Sequence, residues 1–376
     1  MKKGHKRLLF FEILLFIILF LNSFVYDFLS GINISIFLVI VLIIFKYLFG
    51  FEKDKHRFIK DVILEIIIFL FVFFLLYYLS GLIISFARTG DYLNIKGLQM
   101  FIFPIVCYIL LREYLRYMFM CKSEGNNILI ISTVILFIFL DITTAIYYAN
   151  FESNYKAFVF IASIILPAVS SNIIFSYITT KVGYKPIIVY ALIINLYQYL
   201  LPIVPNPSQY LVTMIDILLP ILLGYKINKF FRKADDEEIK RDYNKKKKKL
   251  KSLVPIAIAV IILIYFTSGY FRFWAIAIAS GSMEPKIHKG DIVIINRDYN
   301  IKSIKKGEVM AYRHSGIIVV HRIIKKEKNK GKYYFVTKGD ANKKEDNIVI
   351  DESMIVGIVD YKVPYIGLPT VWLNNK

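Results

Sequence analysis

Two kinds of apolar pattern divide this chain. Up to about residue 276, hydrophobic residues come in long runs of roughly 18–25 positions with few charges, the length that carries a helix across a bilayer. They lie near 8–30, 32–50, 61–86, 98–112, 127–149, 156–178, 185–204, 209–226 and 253–276. That gives about nine spans by length and composition. The opening stretch MKKGHKRLLFFEILLFIILFLNSF has a basic start, but its apolar run is long and no A-x-A-like site follows. It reads as a first anchor rather than a cleaved leader.

From about Ser280 the runs shorten and turn residues separate them: DIVIINR, GEVMAYR, GIIVVHRII, KYYFVTKG and MIVGIVDYKV. β-Branched clusters of this length predict strands. RHSG reads as a hairpin turn and KEKNKGK as a longer loop. The expected architecture is a multi-pass α-helical membrane region followed by a small, mostly-β domain, a barrel or sandwich. Its divisions are a helical region over 1–226, a basic linker over 227–252, an anchor over 253–276 and the β domain over 277–376. The closing VPYIGLPTVWLNNK is too short and interrupted to cross a bilayer. Tyr365 and Trp372 suit it to the membrane interface.

Charge then orients the array. Lys2, Lys3, Lys6 and Arg7, the loop with Lys53, Lys55 and Arg57, and the loop with Arg112, Arg116 and Lys122 alternate with the poorer TGDYLN, NFESNY and VPNPSQ. Placing basic loops inside puts the N-terminus in the cytoplasm and the β domain outside it, at the cell membrane. The net charge of +20 sits largely in membrane-flanking segments, NKKKKKLK among them. The bilayer and its anionic headgroups are the expected partner, and nucleic acid is not. Cys107 and Cys121 lie in or beside a span and the β domain has no cysteine, which excludes a disulfide framework or a cysteine metal site there.

The apolar runs also carry Glu12, Glu65, Asp141 and Asp216, with Asn172, Asn195 and Gln198. Intramembrane acids are costly and raise a functional question. Hydrogen bonding between helices is the plainer reading and is favoured. A transport or binding role for the helices, with a degenerate β domain, is the alternative.

The chemistry-bearing residues cluster after the last run. IASGSMEPKIHKGDIVIINR places Ser280 and Ser282 in a loop. A serine hydroxyl needs a base within hydrogen-bond reach, and that base an orienting group, to become a nucleophile. Of His288, His314 and His321, only His321 lies within an apolar strand, where an imidazole is held rigidly. In TKGDANKKEDN, Asp340 comes directly after the next strand and a glycine, Asp346 lies six residues later in a loop, and either could orient the ring. Lys338 reads as a solvated side chain.

The ordered set SGSMEP, GDIVIINR, HR on a strand and KGDAN…ED resembles the type I signal peptidases, in particular their endoplasmic-reticulum-type branch, over residues 254–366. The resemblance implies Ser282 as nucleophile, His321 as general base and Asp340 as its acid, with Asp346 a second acid. It implies Ser280 as an oxyanion-hole hydroxyl beside the backbone amide of Ser282, with Met283 and Pro285 shaping the loop. It further implies signal-peptide-bearing preproteins as substrates, small residues at their −1 and −3 positions, secretion machinery as a neighbour, and no cofactor. About eight preceding spans depart from the family's usual one or two. A self-cleaving repressor-like domain uses a serine–lysine pair, and His321 stands where that lysine would be.

Overall fold

The computed structural model describes residues 2–25, 27–54, 56–90, 92–149, 151–232, 236–267, 272–329, 331–368 and 371. Its contacts divide it into two units: Met1–Gly81, Thr89–Leu200 and Pro205–Val254 form one, and Leu82–Arg88, Leu201–Val204 and Pro255–Lys376 the other.

The first unit is helical. Among the described residues six helices are long and apolar enough to cross a membrane: Lys3–Phe24, Ile59–Ile84, Ile95–Ser123, Asn127–Tyr147, Asn154–Val182 and Gln209–Arg232. Asn33–Phe49 is a shorter apolar helix, and Lys185–Leu200 is helical over 16 residues; another shorter apolar helix, Leu250–Ile262, falls mostly in the second unit. Asn94, Asn126 and Ser153 start three of these elements by accepting hydrogen bonds from the N–H groups of the first turn. Pro104 and Pro167 have no N–H to donate to the preceding turn. In each case the turn ahead widens to π geometry, Leu98–Ile102 and Ile161–Ile165, and the helix continues.

That continuation corrects one reading of the sequence. Arg112 and Arg116 are not loop residues. They lie inside Ile95–Ser123, 9% and 0% exposed. Their charges are met inside the bundle. Arg116 donates to Glu113 at 2.9 Å, to Asn172 at 2.6 Å and to Ser176 at 3.0 Å. Arg112 lies 3.2 Å from Asp141, which also accepts from Tyr108 and from Asn172, both at 2.7 Å. Glu12 accepts from Thr133 at 2.6 Å and from Ser132, and Glu65 lies 3.4 Å from Lys226. Asp216 sits on the exposed side of its helix.

The second unit holds a two-stranded sheet of β1 (Phe86–Arg88) and β2 (Ile203–Pro205) and a larger antiparallel one. The larger sheet contains β3 (Phe273–Ala277), β4 (Ile292–Asn296), β5 (Val309–His314), β6 (Ile317–Asn329), β7 (Lys332–Lys338) and β8 (Ile355–Val363), in the order β3-β4-β8-β5-β6-β7. All five expected strands form. β3 was not expected: FWAIA continues the apolar composition of the anchor, yet it pairs along β4 from Phe273↔Asn296 to Ala277↔Ile292. The RHSG turn is a two-residue hairpin with positive φ at Ser315 and Gly316, as the twist of such hairpins demands. KEKNKGK is not a long loop, because β6 runs to Asn329 and β7 begins at Lys332. The basic segment read as a linker is largely helical, within Asp236–Thr267. Trp372 lies outside the described residues.

Candidate active site

Ser282 sits in the turn that follows β3. Ile278, Met283, Ile287, Val293, Ile295, Ala311 and Val320 form one apolar cluster, and Met283 is 1% exposed in it. The residue after the serine is thus buried among strand side chains, and the hydroxyl is left at the edge. The turn is tied at both ends. The Ile278 N–H donates to the Asp291 carbonyl and the Gly290 N–H to the Ile278 carbonyl, both at 2.8 Å. The buried Asp291 carboxylate accepts from the backbone N–H of His288 at 3.0 Å and of Tyr365 at 3.2 Å. Burial works to raise the Asp291 carboxyl, but those two amides and the Lys362 ammonium outweigh it and hold it below its ordinary range.

His321 lies on β6 directly across from Met310 of β5. Its Nε2 is 3.1 Å from Ser282 Oγ and its Nδ1 is 2.6 Å from Asp346 Oδ2. A neutral ring between a carboxylate and a hydroxyl carries its proton on Nδ1, donated to the acid, and offers the Nε2 lone pair to the serine. Asp346 reaches the ring because its loop is fixed to β7: its N–H donates to the Thr337 carbonyl at 2.9 Å. Its Oδ2 also accepts from Thr337 Oγ1 at 2.6 Å and from the Tyr312 hydroxyl at 3.1 Å.

Asp340, the acid that the resemblance assigns to the imidazole, is engaged elsewhere. Successive strand residues point to opposite faces, so Arg322 leaves β6 on the side away from His321. Its Nε donates to Asp340 Oδ1 at 2.7 Å, its Nη2 to Oδ2, and its Nη1 to the Gly307 carbonyl at 2.8 Å. The guanidinium holds the Asp340 carboxyl below its ordinary value of 3.8, against a smaller opposing effect of burial. Asp340 still bears on the serine, through the backbone. The next residue, Ala341, donates its N–H to the Ser282 carbonyl at 2.9 Å. A Cβ at Gly339 would lie 2.6 Å from that same oxygen. Only glycine allows the approach.

Ser280 Oγ lies 3.3 Å from Ser282 Oγ, so the two hydroxyls are in mutual reach. His288 and His314 are exposed and make their contacts away from Ser282. Lys338 is on β7, across from Arg322. Tyr312, Thr337 and Arg322 were missed in the sequence. The signal for Thr337 was a polar residue inside KYYFVTKG, and for Arg322 the HR pair; a tyrosine in a strand carries none. Among the described residues no cluster of His, Cys, Asp or Glu has metal-binding geometry.

Residues 265–360 match the family described as Peptidase S24-like. A hydrolase of the peptidase class is thus the kind of domain that the β unit resembles. More particularly, the chain is similar to the signal peptidase complex catalytic subunit SEC11C of Homo sapiens, 34% identical over 110 residues, 27% of this chain and 57% of the relative. It is also similar to the catalytic subunit SEC11 of Clavispora lusitaniae, 34% identical over 112 residues, covering 27% of this chain and 66% of that protein. The SEC11 subunit of Plasmodium falciparum is 32% identical over 110 residues, 58% of its length. The chain thus spans less than two thirds of the curated relatives it matches. The likeness supports a signal peptidase-type peptidase domain.

Proposed function

We propose that the protein is a membrane-bound serine endopeptidase that removes N-terminal signal peptides from exported precursors. One observation carries the proposal: a serine hydroxyl, an imidazole and a carboxylate in a connected row, 3.1 and 2.6 Å apart. Ser282 Oγ attacks the scissile carbonyl and His321 Nε2 takes its proton. Asp346 holds the ring and stabilises the imidazolium. Collapse of the tetrahedral intermediate expels the amine, which takes the proton from His321. Water, deprotonated by the same base, then releases the acyl group from Ser282. Ser280 Oγ and the Ser282 amide supply the oxyanion donors, and losing one such donor costs about 2.7–4 kcal/mol of barrier.

Asp340 is a positioning residue in this scheme, holding the loop whose amide fixes the Ser282 carbonyl. A histidine rather than a lysine at Ser282 Oγ favours this chemistry over the serine–lysine self-cleavage of repressor-like domains. The six long apolar helices, with Asn33–Phe49, Lys185–Leu200 and the apolar end of Asp236–Thr267, support about nine spans. With a cytoplasmic N-terminus they put the β unit outside the cytoplasm, where a precursor emerges beside secretion machinery. The alternative of a transporter with a degenerate β domain is less well supported, since the three groups stand within hydrogen-bond reach. The test is processing in cells. Ser282→Ala and His321→Ala should abolish precursor cleavage while the chain still inserts; full processing by both would refute the reading.

A further inference from the structure

We propose that Tyr312 and Thr337 are positioning residues that set both the direction and the strength of the Asp346 carboxylate on His321. This rests on the serine peptidase reading of the same site. Three contacts of that carboxylate fall on one oxygen: Oδ2 takes His321 Nδ1 at 2.6 Å, Thr337 Oγ1 at 2.6 Å and the Tyr312 hydroxyl at 3.1 Å. The strand register explains the convergence. His321 pairs with Met310, two residues from Tyr312 on the same face of β5, and Ile323, two residues from His321, pairs with Thr337.

Both hydroxyls are costly where they sit. Thr337 is 0% and Tyr312 2% exposed, and Tyr312 belongs to an apolar cluster with Ile304, Met310, Ile323, Phe335 and Ile350. Buried hydroxyls are tolerated when they are hydrogen-bonded, and here the partner is the acid that bears on the base. Burial pushes the Tyr312 hydroxyl up to about 12, so it remains a donor throughout the range in which an imidazole titrates.

Two donors sharing the negative charge of Oδ2 do two things. They fix the carboxylate so that the ring cannot swing off Ser282. They also share its negative charge, which weakens the carboxylate's hold on a charged ring. Among the other charges near the ring are Arg322 and Asp340, which pair with each other, and Lys286 acts electrostatically on Asp340.

The test uses the full chain in liposomes, with the Tyr312→Phe and Thr337→Val variants singly and combined, and Thr337→Ser as the conservative control. Two readouts are followed against pH: hydrolysis of a precursor peptide, and the His321 ring signal in histidine-labelled protein, assigned with His321→Gln. The combined variant should move both the ring titration and the acidic limb of kcat/KM upward by about half a pH unit or more. Thr337→Ser should leave them where they are in the unaltered chain. An unmoved ring titration in the combined variant would overturn the proposal. A moved titration with no Ser282-dependent hydrolysis supports the positioning role and refutes the peptidase reading, so the two failures are told apart.

Discussion

Asp340 and Asp346 stand in one loop and meet opposite partners, a guanidinium and an imidazole. The difference predicts how each substitution behaves. Asp346→Asn should cut kcat/KM by orders of magnitude with little loss of stability, since its backbone N–H still bonds the Thr337 carbonyl while an amide nitrogen facing the ring holds it in the wrong tautomer. Asp340→Asn should instead loosen the loop at Ala341, seen as faster amide exchange there. Its pH signature follows from the sign of the shift. A carboxyl lowered by folding contributes stability that is complete above its ordinary value of 3.8 and fades as pH falls through its own lower value. Acid should therefore erase the stability difference between the unaltered chain and Asp340→Asn. A difference that persists undiminished well below that value would contradict the assignment.

At this scale Ser282 and His321 were legible as candidates that belong together, because a serine in SGSM and a histidine buried in IIVVHRII are each out of place without the other, and the structure brings them within 3.1 Å. The sequence did not show which acid meets the ring. That depends on strand alternation sending Arg322 to the face opposite His321 and on Thr337 anchoring the Asp346 backbone. Neither follows from spacing alone.

Among the elements, turn chemistry and period-two clusters were legible, and continuity of composition misled. RHSG became a two-residue hairpin with φ of +48° at Ser315 and +82° at Gly316. Nothing lies within 4 Å of a Cβ built at Gly316. The cost of Gly316→Val is thus one of backbone alone, about 1–2 kcal/mol, with activity retained once folded. Thermal denaturation of the two chains checks it. β3 was hidden because FWAIA is as apolar as the helix before it, and only its pairing with β4 distinguishes the two. The helix Ile95–Ser123 was cut short in the sequence because arginines mark loop ends, whereas Arg112 and Arg116 meet Glu113 on their own helix and, for Arg112, Asp141 on the next.

Across the whole molecule, that arginine cluster is where the helical unit departs most from an apolar bundle. Arg112 and Arg116 balance Glu113 and Asp141, with Tyr108, Asn172 and Ser176 completing the bonds. Removing one charge leaves another buried and unmet, so Arg116→Leu should destabilise the chain by about 3–5 kcal/mol. Arg116→Leu combined with Glu113→Leu should recover most of that in a detergent unfolding assay. Equal losses in the single and double variants would mean that an unmet Glu113 charge is not the source of the cost.

Hydrolysis by Ser282 is the central claim. The most direct measurement takes the purified full chain in liposomes, adds one precursor bearing a signal peptide, and identifies the products by mass spectrometry. Cleavage at a single bond by the unaltered chain, absent with Ser282→Ala, is the predicted result. Cleavage that continues unchanged with Ser282→Ala would contradict the central claim.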